Sequence, residues 1–302
     1  MKTQQRTLFG RLCVLAFAFL ALGVSAQTTQ PATPPSFIVG VWRQPAASLP
    51  LWKARGINTV VGTILDVDAP TDAAYALRCR ALGLYLVAPC KEADAFEQLD
   101  EPDGHGIDPA ETTGVYVSAK VASPRPVLLN LDGARIPWTD ASVYTLYGAG
   151  CDWLGFDYYP LNRGDGAGAI IRLANGLDKL RAAAPGKRYL VFIECSNQQL
   201  SLADYLAGTP QGLAARGPTL AEMRQEIDAA VTHGAAGIVY FPDVIGAGWL
   251  GFDGTPPDIA AAMPAINAGL LHSGIPPPST QPSMVVTEVS IDGVTFSLKR
   301  KN

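Results

Sequence analysis

The chain has 302 residues, 48% of them hydrophobic, and a formal charge of −4. That is ample material for a full core, in one large domain or two ordinary ones. An acidic balance with no basic cluster beyond the Lys299-Arg300-Lys301 tail speaks against a nucleic-acid partner.

The first residues read as a secretory signal over residues 1–26. Lys2, Arg6 and Arg11 make a basic start, residues 12–24 are apolar, and Val24-Ser25-Ala26 fits a small-residue cleavage site. The apolar run is short of the roughly 20 residues that a spanning helix needs. With no second such run, the mature chain is expected to begin near Gln27, to be secreted or periplasmic, and to have no stable membrane insertion. An uncleaved anchor is the alternative. Residues 27–35 are rich in Gln, Thr and Pro and predict a flexible lead-in.

From Ser36 a unit repeats: a short apolar strand, then an Ala/Leu-rich helical stretch. The predicted strands are residues 36–42, 57–64, 83–88, 96–99, 126–131, 152–156, 188–193 and 237–241. Helices are expected near residues 47–55, 72–82, 109–121, 139–147, 167–184, 220–233 and 257–271. After the third strand only residues 91–95 precede Phe96, so that helix is short or missing. The strands are continuous apolar runs rather than alternating ones, as in parallel strands covered on both faces. Eight β-then-α units over residues 36–273 predict a single-domain (β/α)8 TIM barrel of α/β class. Gly56, Gly83 and Gly237, each between a helix and a strand, read as helix C-caps. An open doubly wound sheet is disfavoured, because no GxGxxG follows the first strand and no Walker motif occurs.

Residues 274–283 are a Pro-rich linker. Residues 284–302 alternate apolar and polar around Asp292-Gly293, a hairpin signal, and form a short β-hairpin or tail. Cys79, Cys90, Cys151 and Cys195 follow no zinc spacing, and His105, His233 and His272 lie far apart, so a His-based metal site is not expected. Bridges among the four cysteines stay open, as does the oligomeric state.

In a barrel the chemistry lies at the carboxyl ends of the strands. In chain order these ends deliver Trp42, Arg43 and Gln44; Asp66; Lys91; Asp100, Glu101 and Asp103; Asn130 and Asp132; Asp157, Tyr158 and Tyr159; Glu194, Ser196 and Asn197; and Asp243, with Trp249 in the loop beyond. The mouth is therefore polar and aromatic. Exposed Trp42, Tyr158, Tyr159 and Trp249 would suit stacking on sugar rings. Glu101 and Glu194, on the fourth and seventh strands, would lie roughly opposite each other. Two carboxylates flanking a glycosidic bond are what glycoside hydrolysis requires: one protonates the leaving oxygen, the other attacks or activates water.

Glu after strand four in Asp100-Glu101-Pro102, and Glu after strand seven in Phe192-Ile193-Glu194-Cys195, resemble clan A of the retaining glycoside hydrolases. The resemblance covers about residues 37–271. It implies Glu101 as acid/base and Glu194 as nucleophile, with Tyr158 or Tyr159 of Asp157-Tyr158-Tyr159-Pro160 hydrogen-bonding the nucleophile. It further implies a carbohydrate substrate, no cofactor and no metal. The implied substrate-binding set is Trp42, Arg43, Asp100, Asn130, Asp132, Tyr158, Tyr159, Asn197, Tyr240 and Trp249.

The chain departs from the clan's pattern. Asp100 stands where the clan has an Asn, and a like charge beside Glu101 should raise one carboxyl's pKa. Arg43 matches the clan's arginine only loosely. The strand-eight tryptophan is absent, leaving Tyr240, Phe241 or Trp249 to replace it. Two other readings remain: a non-catalytic glycan-binding barrel, and a divalent-metal barrel using Asp66, Glu101, Asp132 and Asp243. Lys91 as a Schiff-base lysine has little support, and Cys195, with no histidine placed to activate it, reads as a small hydrophobe.

Overall fold

A computed structural model describes residues 32–165, 168–198, 217–244 and 253–272, and the backbone of 289–291 and 294–296. The signal and most of the lead-in lie outside the described residues, as do the linker and Trp249. Eight parallel strands are present: β1 Ile38–Trp42, β2 Thr59–Val61, β3 Tyr85–Val87, β4 Phe96–Asp100, β5 Val127–Asp132, β6 Trp153–Asp157, β7 Arg188–Glu194 and β8 Gly237–Phe241. Their order is β3-β2-β1-β8-β7-β6-β5-β4, and a parallel bridge between Val87 and Ala95 closes the ring. This is the expected (β/α)8 barrel.

The helices among the described residues are α1 Leu49–Ala54, α2 Asp72–Ala81, α3 Pro109–Ala122, α4 Ala141–Ala149, α5 Ala169–Ala183, α6 Leu220–Thr232 and α7 Pro257–His272. Their starts follow local chemistry. The Thr71, Asp108 and Asp140 side chains each accept a first-turn N–H, with Pro109 next to its cap. Thr219 and Glu222 form a reciprocal capping box at α6. Gly56 and Gly83 take positive φ after α1 and α2, as expected. Gly237 does not: it opens β8, and the left-handed residue after α6 is Gly234. What Gly237 supplies is room, since a Cβ there would lie 2.6 Å from the Ile38 Cβ.

No helix follows β3. A parallel crossover normally needs a dozen residues or more. Here β4 starts level with the end of β3, so the chain need not return along the barrel. Asp94 ties the short link down: the Leu86 N–H donates to its carboxylate at 3.0 Å, and its own N–H returns to the Leu86 carbonyl at 2.8 Å. Arg125 donates to the Cys90 and Ala93 carbonyls from outside. Ala32, within the lead-in, donates to Asp94 as well.

Two apolar layers hold the barrel. Inside lie Ile38, Val61, Leu128, Trp153, Leu190, Phe192, Val239 and Phe241. Between sheet and helices lie the alternate residues, such as Leu129, Leu154, Phe156, Val191 and Ile193, with Leu173, Leu177, Met223 and Met263 from the helices. The four cysteines are free thiols. Burial pushes Cys79 and Cys151 up to about 12 and Cys195 well above its ordinary value, so all three are inert. Near the C-terminal end, β9 Val289–Ile291 pairs antiparallel with β10 Val294–Phe296.

Candidate active site

The alternation of each strand decides which end residues reach the barrel mouth. On β5, Leu128 belongs to the interior layer and Leu129 and Leu131 to the outer one. Asn130 is therefore in phase with the interior. On β6, Trp153 is interior and Leu154 and Phe156 are outer, which turns Asp157 inward. The Asn130 amide joins the ends of three strands, donating to Asp100 Oδ1 at 3.0 Å and Asp157 Oδ2 at 3.1 Å. It fits there because residue 155 is glycine. A Cβ on Gly155 would stand 2.3 Å from Asn130 Oδ1.

Glu101 completes this group. It directly follows β4, beyond an irregularity in register between Glu97 and Asp100, and its φ is +43°. Its N–H is held by the Asn130 carbonyl at 3.0 Å. A left-handed glutamate is strained at a cost on the order of 1–3 kcal/mol, which surrounding structure must sustain. Arg43, with φ +30°, is the other non-glycine residue of positive φ among those described, and it lies at the same mouth. Its guanidinium stacks over the Trp42 ring at 4.4 Å and approaches Glu97 Oε1 at 3.4 Å and Asp100 Oδ2 at 3.8 Å.

Electrostatics set the protonation of the cluster. Burial first, then the charges of Asp132 and Asp100, raise the Glu101 pKa above the usual carboxylate range. Asp157 faces Glu101 and is pushed well up by burial and by that neighbour. The two titrate as a pair that retains a proton after isolated acids have ionised. Glu97, inside the barrel, is pushed up to about 7 by burial against the opposing pull of Arg43. Asp103 rises to about 6 through burial. Asp100 stays open, with its side chain 37% exposed.

Several expected residues sit elsewhere. Glu194 is 0% exposed. Its oxygens accept from the Leu161 N–H at 2.7 Å, the Asn162 N–H at 2.8 Å and the Asn162 amide. It also faces Glu226 of α6, another fully buried acid. Glu194 therefore caps N–H groups of the β6–α5 turn. Burial raises its pKa, and it pushes Glu226 far higher.

Trp42 is 2% exposed, sealed edge-on by Phe192 at 5.3 Å, and offers no free face to a sugar. Tyr158 points outward and bonds Asp165 and Arg172, while Tyr159 points inward, with its ring 4.8 Å from Phe241 and its hydroxyl facing Asp157. Tyr240 also points outward, donating to Asn267 of α7 at 2.8 Å. Asn197 is buried. Asp132 holds Arg135 at 3.1 Å and the Ala134 N–H at 3.0 Å. The four acids of the metal reading are not gathered: Asp66 accepts the Ala47, Asp68 and Ala69 N–H groups, and Asp243 accepts from Gln44. Glu97, Asn162 and Glu226 were not singled out from sequence. Glu97 carried a signal, an acid in phase with the barrel interior on a strand of mixed polarity.

No protein-family model matches the chain, and no curated protein matches it. Solved structures of similar fold do exist. One is the glycoside hydrolase family 17 β-1,3-glucanosyltransferase from Rhizomucor miehei, with 12% identity and TM-score 0.51 over 74% of this chain and 96% of that one. Another is the endo-1,4-β-D-mannanase from Thermotoga petrophila RKU-1, with 9% identity and TM-score 0.51 over 77% and 99%. A third is the catalytic domain of the hyperthermophilic chitinase from Pyrococcus furiosus, with 12% identity and TM-score 0.53 over 80% and 98%. At these identities the likeness is one of fold, a barrel shared with glycoside hydrolases.

Proposed function

We propose that the chain is an exported glycoside hydrolase in which Glu101 protonates the leaving oxygen of an O-glycosidic bond. The observation that carries this reading is the Glu101–Asp157 pair at the carboxyl ends of β4 and β6. Glu101 is a half-buried acid whose pKa is raised by burial and neighbouring charge. A general acid must still hold its proton near the working pH, and these surroundings supply that. Asp100, open to solvent and in contact with Asn130 and Arg43, brings negative charge to the same place. There it favours the oxocarbenium-like transition state. The fold's likeness to glycoside hydrolases supports the same reaction class. Export rests on the N-terminal basic and apolar segments.

The capped state of Glu194 argues against a covalent intermediate on that residue. In this reading it positions the β6–α5 turn, which carries Tyr159 toward Asp157.

The test is hydrolysis of aryl glycosides and soluble polysaccharides by the mature chain and by Glu101→Gln. The variant is expected to lose about 10²–10⁴-fold in kcat while keeping its circular dichroism spectrum. Undiminished turnover in Glu101→Gln overturns the assignment. An azide-rescued Glu194→Ala that yields a glycosyl azide would restore Glu194 as nucleophile.

A further inference from the structure

The β5–α4 connection, residues 133–140, leaves β5 at the end where Glu101 lies, and it carries an aromatic ring that the site above does not use. Trp138 is 83% exposed. Trp42, Trp52 and Trp153 are buried, and no other large aromatic among the described residues is exposed. A single exposed hydrophobe is ordinary on a protein surface. What sets this one apart is how firmly its loop is fixed.

The Gly133 N–H donates to the Asp157 carbonyl at 2.7 Å, an approach so close that a Cβ at position 133 would meet that oxygen at 2.7 Å. Asp132 holds the Ala134 N–H and the Arg135 guanidinium. The Arg135 carbonyl accepts from the Trp138 N–H at 3.0 Å and the Thr139 N–H at 3.1 Å. Lys179 of α5 reaches the Pro137 and Thr139 carbonyls from below. Ile136 is fully buried and fills the space beneath the turn. The indole thus stands in water on a braced support.

The support abuts the proton donor. Asp132, at the base of the turn, is the charged group that acts most strongly on Glu101. Arg135, paired with Asp132 and bonded through its carbonyl to the Trp138 N–H, keeps more than half of its side chain exposed. An open aromatic face on the same braced loop as an Arg–Asp pair matches a pyranose, which presents an apolar C–H face and equatorial hydroxyls.

We propose that Trp138 is a stacking platform for a pyranose ring of an oligosaccharide chain, on the leaving-group side of Glu101, with Arg135 and Asp132 taking its hydroxyls. This rests on the hydrolase reading for the direction of the chain, but the platform itself is testable without turnover. A chain that reaches Trp138 as well as the cluster extends past the bond that is cut, so substrates longer than a disaccharide are preferred.

The experiment uses the full mature chain, wild type, Trp138→Ala and Trp138→Phe. Each is run in native gels containing laminarin, glucomannan or glycol chitin, and assayed on oligosaccharides against an aryl monoglycoside. At this exposure the substitution should leave the melting temperature in place. Retardation by at least one of the three polysaccharides is expected, weakened on the order of 10-fold in Trp138→Ala and largely recovered in Trp138→Phe. The ratio of KM for oligosaccharide to KM for monoglycoside should rise by a similar factor. Equal retardation of wild type and Trp138→Ala, or an unchanged KM ratio, overturns the platform. So does a wild type that cleaves the monoglycoside but is retarded by none of the polysaccharides. Trp138-dependent retardation with no turnover on any substrate supports the platform and overturns the hydrolase reading instead.

Discussion

Glu101 and Asp157 face each other at the ends of β4 and β6, with Asn130 and Arg43 close by and an open path to solvent. Glu194 and Glu226 face each other between β7 and α6, and the charged groups that act on Glu226 are the acids Glu194 and Glu222. Burial raises the pKa of all four carboxyls. Only the first pair can exchange its proton with something that enters from outside. A raised carboxyl pKa is thus not by itself a mark of catalysis. The second pair shows the same shift produced by a structural joint, in which a carboxyl caps the N–H groups of a loop. Access separates the two pairs, since Glu194 and Glu226 are both fully buried.

The sharpest way to break the comparison is to remove one acid from each. Glu101→Gln should cost activity, as set out above, and little stability. Glu194→Gln should do the reverse first. Its amide would turn an NH2 toward backbone donors that now meet an oxygen, leaving a buried N–H unpaired. The expected loss is about 1–3 kcal/mol of unfolding free energy, read from urea midpoints. Any fall in activity should follow from displacement of the β6–α5 turn. A Glu194→Gln protein with native stability and no activity would mean that this carboxylate takes part in the chemistry.

The sealed pair also predicts a pH dependence. Glu226 is an acid whose native pKa lies well above its ordinary value because of burial and Glu194. Below about pH 4 both folded and unfolded chains hold its proton, and the group costs nothing. As pH rises past the unfolded value, the unfolded chain releases the proton while the native one keeps it. Stability therefore falls with rising pH, by up to about 1.4 kcal/mol per unit, until the native pKa is reached. Glu226→Gln keeps a donor toward Glu194 without needing a proton. Its advantage over wild type should be small at pH 5 and larger at pH 8, measured as a difference in melting temperature. A constant difference across that range would show that Glu226 has already ionised in the native state.

The barrel was legible because most of its strands are largely apolar runs punctuated by Gly and Pro, and each observed strand falls inside or within one residue of its predicted run. The acids at the strand ends were legible for the same reason. Their directions were not. Alternation places Glu194 in phase with the interior Leu190 and Phe192, but at the last residue of a strand the turn beyond decides. Here the Leu161 and Asn162 N–H groups, 33 and 32 residues away in sequence, claim the carboxylate. Trp42 is likewise in phase with the mouth but is closed over by Phe192 of β7, a contact that no local pattern reveals. Glu226 reads as an ordinary helix acid until α6 is packed on the barrel. Asp157 was visible as a strand-end acid, yet its pairing with Glu101 depends on Gly155 leaving room for Asn130.

The adjacent tyrosines give the smallest and most local test. Sequence left Tyr158 and Tyr159 interchangeable, and the pleat of β6 sends them to opposite layers. The Tyr159 hydroxyl, by facing Asp157, opposes the rise in its pKa. Tyr159→Phe removes that opposition, so the proton of the Glu101–Asp157 pair is held to higher pH. The alkaline limb of the pH–activity profile should then move upward by a fraction of a unit. Tyr158→Phe loses hydrogen bonds to Asp165 and Arg172 on the outer face. It should cost about 1 kcal/mol of stability and leave the shape of that profile as it was. If the two variants exchange these effects, the outward tyrosine is the one connected to the proton donor. The inward orientation of the whole β6 end, Asp157 included, would then have to be reversed.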